Sequence, residues 1–444
     1  MKNIIKSISL LTILTTSIYA ETILTIGERG SSDIDYMQKN HVADTRNITQ
    51  DTTPFTEQIT PMSDDEQLYY DSQYNQKYFE PWDIMSMELT EGEKTWQFKY
   101  AREKTFNRDG SRIQKSWYKY AIKNSDFKSY ESISKAGITL KHTNLRLYPS
   151  LKEIFYNPDR TGEGFPFDYS QNSAVYINTP IFVSHYSLDK KWVYAKTSFA
   201  FGWIKVSDMA FVDINFQNSF RNDKYAVTVK DNLQLLDDGT PISLIKMGTI
   251  FPVDPVTKEY LIAKKNSNGY ATISKVKVHD NDTDIIAYKP IKFNTHNVKY
   301  ISQQLVGEPY GWGGKLYTRD CSALTRDFFA PFGIYLRRNS RQQAEDGDTI
   351  SIRGLDAKTK KETILANAKP CRSLLFVAGH IMLYLGERKG EPIILHNYWG
   401  VRLNNGDKRV MGRAIITTTK PGVERSDVRK KSMLINTLTS IVNF

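Results

Sequence analysis

Residues 309–329 read PYGWGGKLYTRDCSALTRDFF, a glycine-rich turn that runs into an apolar-periodic segment with Cys321 at its head. Ala323, Leu324, Phe328 and Phe329 recur at helical spacing, so a helix is predicted to begin at the cysteine. Asp320 is placed to cap its first turn. A thiol there feels the positive end of the helix dipole, which lowers its pKa and favours the reactive thiolate. Gly311, Gly313 and Gly314 would let the backbone pass close to a bound ligand. A lone cysteine is more often a small buried apolar residue. Position, cap and glycine-rich approach together point instead to a nucleophile.

A cysteine nucleophile needs a base, and ideally a third group that orients the base. Of the seven histidines, His41 falls in a loop-like N-terminal stretch, and His142, His185 and His279 fall in β-rich segments without an obvious partner. His296 opens a predicted helix, where a surface or cap role is expected. His380 and His396 differ, because GHIMLYLG and PIILHN flank the polar stretch Glu387-Arg388-Lys389-Gly390. A hairpin centred on Arg388 sets the two directly opposite each other on one face, with Cβ atoms roughly 4.5–5.5 Å apart. One imidazole can then orient the other, as a Cys-His-X triad requires. A slip of one residue would separate them. A zinc site built from Cys321, His380 and His396 is conceivable, but no CxxC or HExxH spacing supports it.

The residues around this pair define an α+β domain over 294–444, with the helical spacing of HNVKYISQQLVG first and apolar strands later. Upstream, short alternating runs separated by turn-rich stretches predict two small β-barrels or sandwiches, over 131–217 and 218–293. Residues 21–130 are predicted to be partly helical. Within them 21–66 should be loop or extended wrapping chain, and Pro81 ends any helix before Trp82.

The chain has 444 residues, too many for one ordinary core. Residues 1–20 carry Lys2 and Lys6 before an apolar run from Ile8 to Ile18, with Ala20 at a cut site, and read as a signal peptide. The alternative is an uncleaved anchor, although the run is short of the roughly 20 residues a membrane span needs. Without Lys2 and Lys6 the chain has 58 basic and 49 acidic residues, a net +9 that suits an anionic surface. Export and the lack of a long Lys/Arg block argue against nucleic acid. Only two cysteines occur, so the chain is not a disulfide scaffold, but Cys321 and Cys371 could still pair in an oxidising compartment.

The stretches PYGWGG (309–314), DCSALTRDFF (320–329), LRRNSRQQA (336–344), GHIMLYLG (379–386) and HNYWG (396–400) resemble the NlpC-type family of cell-wall cysteine peptidases. That resemblance implies a papain-like fold in permuted order. Residues 137–290 look like paired bacterial SH3 domains, on NLRLYP (144–149) and GWI (202–204). With FEPW (79–82), this resembles the subgroup that has a helical N-terminal domain, two SH3 modules and a C-terminal peptidase. The implied activity is hydrolysis of the γ-D-glutamyl–diamino acid bond of peptidoglycan stem peptides, without a cofactor or metal. Cys321 would be nucleophile, His380 base and His396 orienter, with Tyr310, Asp320 and Ser340 binding the stem peptide. The chain would act as a periplasmic or secreted monomer, with no stable membrane insertion after signal cleavage. Many relatives carry Gly-Asp where this chain has Pro370-Cys371-Arg372-Ser373, which leaves an inhibitory Cys321–Cys371 bond to test. Rival readings are an amidase that cuts between muramic acid and L-Ala, a non-catalytic wall-binding SH3 protein, and an acyl- or peptide-transferring enzyme. The SH3 modules could bind ligand, rigidify the chain, or narrow the cleft so that only short stem peptides enter.

Overall fold

The computed structural model describes residues 42–231, 233–237, 240–276 and 286–444. The predicted signal peptide and His41 lie outside the described residues, as does His279. Among the described residues no helix is long and apolar enough to cross a membrane.

Helix α1 (Asp64–Phe79) starts at Ser63, whose hydroxyl accepts from the Glu66 amide, and three acidic residues fill its first turn. Pro81 ends it in a single 3-10 turn over Glu80–Trp82. Its buried face pins neighbouring elements. Tyr78 OH donates to Asn178 O at 2.9 Å, and Trp82 Nε1 donates to Gly137 O at 2.6 Å. The buried Lys289 ammonium pairs with Asp71 and lies 3.9 Å from the centre of the Tyr74 ring. Helix α2 (Lys115–Asn124) follows. The chain before α1 carries two short helices, Ala43–Asn47 and Thr53–Thr56, rather than being purely extended, yet it does wrap. Gln50 exchanges hydrogen bonds with Ile416 N and O, and Gln58 with Glu387 N and O.

The first β unit is a seven-stranded sheet of order β3-β2-β6-β5-β4-β1-β7. Its strands are β1 (Lys135–Thr139), β2 (Thr143–Arg146), β3 (Gln171–Val175), β4 (Pro180–Tyr186), β5 (Trp192–Lys196), β6 (Phe201–Lys205) and β7 (Met209–Phe211). The two stretches that resembled SH3 signatures meet where Arg146 pairs with Trp203. The second unit is built from three small sheets. In it β8 (Tyr225–Thr228) lies between β11 (Ile250–Pro252) and β14 (Ile286–Tyr288). The pairs β9 (Leu233–Asp237) with β10 (Thr240–Ile245), and β12 (Tyr260–Lys265) with β13 (Ala271–Val276), complete it.

The C-terminal region places helices α3 (Thr295–Leu305) and α4 (Cys321–Phe329) before an antiparallel sheet of order β15-β20-β16-β17-β18-β19. Its strands are β15 (Asp348–Ser351), β16 (Ser373–Val377), β17 (His380–Arg388), β18 (Glu391–Arg402), β19 (Lys408–Thr418) and β20 (Ser440–Asn443), with helix α5 (Ala357–Asn367) after β15. Both faces of the sheet are buried. Leu374, Leu383 and Leu395 pack with Leu324 and Phe328 of α4, while Leu375, Met382 and Ile394 pack with Ile364 of α5. This explains runs without polar alternation such as HIMLYL.

The register of the β17–β18 hairpin differs from the expected one. Arg388 pairs with Glu391, so the turn is the two residues Lys389-Gly390, both at positive φ, and not a turn centred on Arg388. A β-bulge at Leu385 then shifts the register by one, giving Tyr384 opposite Ile394 and Leu383 opposite Leu395. His380 and His396 are therefore offset diagonally along the two strands, not directly opposed. The offset is even, so they still share a face.

Candidate active site

Asp320 caps α4 by accepting from the Ala323 amide at 2.9 Å, and its second oxygen accepts from the Gly313 amide at 3.0 Å. Two glycines of the turn face the first β unit. Gly313 and Gly314 have φ of 63° and 75°. A Cβ at Gly313 would lie 2.7 Å from Gln171 Cγ, and one at Gly314 2.8 Å from Ala174 Cβ. These glycines let the turn dock on β3 of the first β unit.

The β17–β18 ladder stops at Leu383–Leu395, and α4 contacts both strands. The Ile381 amide points at the Cys321 sulfur, and Asn397 Nδ2 donates to Arg319 O at 2.7 Å. The sulfur is buried, and this burial, with Asp320 beside it, pushes the thiol up to about 12. The helix dipole alone would lower it. Desolvation outweighs it here.

His380 Nε2 lies 2.8 Å from His396 Nδ1, and His396 Nε2 lies 3.0 Å from Thr417 Oγ1. The Thr417 hydroxyl gives its proton to Thr418 O at 2.8 Å. It must then accept from His396 Nε2–H, so His396 Nδ1 is an acceptor and His380 donates through Nε2. The lone pair of His380 is thereby left on Nδ1. Burial and the charge of Lys408 lower His380 to about 3, and burial with His380 lowers His396 well below its usual value. Tyr398 stacks on His396, with centroids 4.6 Å apart.

Arg338, which no sequence signal separated from Arg337, binds Asp320 through two nitrogens at 3.0 and 2.7 Å. It also donates to Ser322 Oγ at 2.8 Å and to Ser173 Oγ of the first β unit at 2.9 Å. Although burial works to raise Asp320, the Arg338 guanidinium holds its carboxyl below the usual value. Tyr310 is beside the sulfur, and burial and Cys321 push its hydroxyl well above the ordinary value. Its ring packs on Phe167 of the first β unit and on Trp399, at 5.5 and 5.6 Å. The structure thus gathers Tyr310, Asp320, Cys321, His380 and His396. Ser340 opens a short helix (Ser340–Gln343) that contacts α4 and β17, and its hydroxyl makes no hydrogen bond among the described residues. Both cysteines are free thiols, and Cys371 is buried in the core. Among the described residues no cluster of three or more His, Cys, Asp or Glu could hold a metal.

A family model described as NlpC/P60 family matches residues 307–420. The NLPC_P60 stabilising domain, N term, matches 16–130, and an SH3 domain of the SH3b1 type matches 153–205. The solved structure of a novel NlpC/P60 endopeptidase from Photobacterium damselae subsp. piscicida is similar at 23% identity and a TM-score of 0.79, over 89% of this chain and 97% of that one. An NlpC/P60 family protein from Bacillus cereus ATCC 10987 aligns at 13% identity and a TM-score of 0.44, over 70% of this chain and 99% of that one. NlpC2 from Trichomonas vaginalis aligns at 14% identity and a TM-score of 0.28, over 71% and 99%. No curated protein matches the chain.

Proposed function

From the premise that this chain carries an NlpC/P60 domain and is a cysteine peptidase acting on peptidoglycan, we propose that it cleaves the γ-D-glutamyl–diamino acid bond of stem peptides with Cys321, His380 and His396. The observation that carries the reading is the hydrogen-bond chain from Thr417 through His396 to His380, which leaves Nδ1 as the basic nitrogen next to the start of α4.

With the thiol raised to about 12 and His380 lowered to about 3, the resting pair is neutral rather than a thiolate–imidazolium pair. His380 then acts as a general base during attack. Its Nδ1 takes the Cys321 proton as the sulfur bonds to the amide carbonyl carbon. The carbonyl oxygen becomes an oxyanion near the Cys321 amide, which has no intrahelical acceptor at this first helix position. As the C–N bond breaks, His380 returns the proton to the leaving amine. Water, deprotonated by His380, then releases the thioester as a carboxylate and restores the thiol. His396 Nδ1 accepts from the imidazolium throughout and disperses its charge.

Tyr310, Asp320 and Ser340 form the acyl side of the cleft. Phe167, from the first β unit, packs against Tyr310 and Trp399, which supports a narrow cleft that takes short stem peptides. The chain acts as a monomer in the cell envelope. The test is digestion of purified peptidoglycan and defined muropeptides by wild type and Cys321→Ala, read by mass spectrometry. Fragments ending in D-Glu, absent with the variant, are expected. Fragments that begin at L-Ala after loss of muramic acid would replace this reading with the amidase.

A further inference from the structure

Strand β19 lies at one edge of the C-terminal sheet and carries Thr417, whose hydroxyl oxygen faces His396 Nε2 at 3.0 Å. Its inner side pairs with β18, with Thr417 opposite Ile394 and Ile416 opposite Leu395. An edge strand leaves every second N–H and C=O without a partner in the ladder. Along the first part of β19 the chain that leads to the nucleophile takes those groups. Tyr310 N donates to Gly412 O, Ala414 N to Glu308 O and Gly307 N to Ala414 O, each at 2.8 Å. Residues up to Leu305 belong to α3, so this backbone pairing ends before Ile416.

From there the N-terminal segment takes over with side chains. The Gln50 amide has the donor and acceptor of one residue of an absent strand. Its Oε1 accepts from Ile416 N at 2.9 Å, and its Nε2 donates to Ile416 O at 3.0 Å. One oxygen of the buried Asp44 carboxylate accepts from Thr418 N at 2.8 Å and from Thr418 Oγ1 at 2.7 Å. The two side chains therefore hold the residues on either side of Thr417. Thr418 counts twice, because its carbonyl takes the Thr417 proton at 2.8 Å. An unbroken line of contacts thus runs from Asp44 through Thr418, Thr417 and His396 to His380. Without Asp44 and Gln50 the outward groups turn to water, and the end of β19 loses its outer support.

We propose that Asp44 and Gln50 are positioning residues of the active site, which complete the open edge of β19 and so hold Thr417 where it sets the tautomer of His396. This rests on the Cys321, His380 and His396 reading above, but not on which stem-peptide bond is cut. The test is a double-mutant cycle with Thr417→Val, read as kcat and KM on defined muropeptides at a temperature where calorimetry shows every variant folded. Asp44→Ala/Gln50→Ala should lower kcat about fivefold with KM unchanged. In the Thr417→Val background the same pair should cost less than about twofold, since the contact it supports is already gone. Two milder single variants give the same answer if the pair does not fold. Asp44→Asn keeps an acceptor for Thr418 and should stay near wild type, whereas Gln50→Glu sets a carboxylate against Ile416 O and should lower kcat about threefold. An unchanged kcat in the folded pair, or an equal loss in both backgrounds, would overturn the proposal and leave Asp44 and Gln50 a purely structural role. Wild type cutting a bond other than γ-D-glutamyl would revise the bond alone, with the cycle then read on that bond. Full activity in Cys321→Ala would overturn the triad and the positioning role together.

Discussion

Thr417 Oγ1 lies 3.0 Å from His396 Nε2 while its own proton goes to Thr418 O. The threonine thus decides which nitrogen of His396 carries hydrogen, and through it which nitrogen of His380 is free. Thr417→Val keeps the shape and removes that acceptor. His396 can then adopt the other tautomer, whose Nδ1–H opposes His380 Nε2–H. The expected result is a loss of about tenfold in kcat with little change in KM, restored by Thr417→Ser. Steady-state kinetics on a defined muropeptide checks it.

Such a chain was only partly legible in the sequence. The cap and apolar spacing after Asp320 placed α4, because both are local signals. The histidine pair was found through strand alternation, yet its register was misjudged twice. The turn is Lys389-Gly390, and Leu385 forms a bulge. The two errors add to an even offset, which preserved the shared face. For Gly313 and Gly314 the residue type says only that something comes close to the backbone. It is β3 that does. Arg338 could not be told from Arg337, since its partners Asp320 and Ser173 come together only in the fold. The dipole at Cys321 was visible in sequence, but the burial that overrides it was not.

The buried His396 and the half-buried His380 set an acid limit on stability. His380 is lowered to about 3, and His396 also lies well below its usual value, both chiefly by burial. The unfolded chain protonates these rings near 6.5, so below that pH it binds more protons than the folded chain. Their contribution is present above about 6.5 and is lost as pH falls toward about 3. The melting temperature should drop over that window. The drop should be smaller in His380→Ala/His396→Ala, in which neither ring is left to charge. Scanning calorimetry at stepped pH makes the comparison, and equal drops in both proteins would contradict it.

Arg319 shows how domain docking reaches the nucleophile. Its guanidinium is buried and binds Asp231 of the second β unit at 2.5 and 2.8 Å, Glu308 at 2.8 Å and Asp327 of α4 at 2.7 Å. Its carbonyl accepts from Asn397, the neighbour of His396, and from the Gly311 amide. One residue before the Asp320 cap, it therefore ties the second β unit, α4 and β18 together. Arg319→Met leaves each carboxylate one partner short, since Lys246 remains for Asp231 and Glu308, and Arg326 and Tyr176 remain for Asp327. Removing one member of a buried ionic cluster strands the others, and the expected cost is about 3 kcal/mol, read by urea unfolding at pH 7. Arg319→Lys should recover only part, because an ammonium cannot fork between three carboxylates. The kcat at a temperature where the variant is fully folded should also fall, since α4 and β18 lose their common anchor. A variant that loses stability yet keeps full kcat would confine Arg319 to holding the β unit in place.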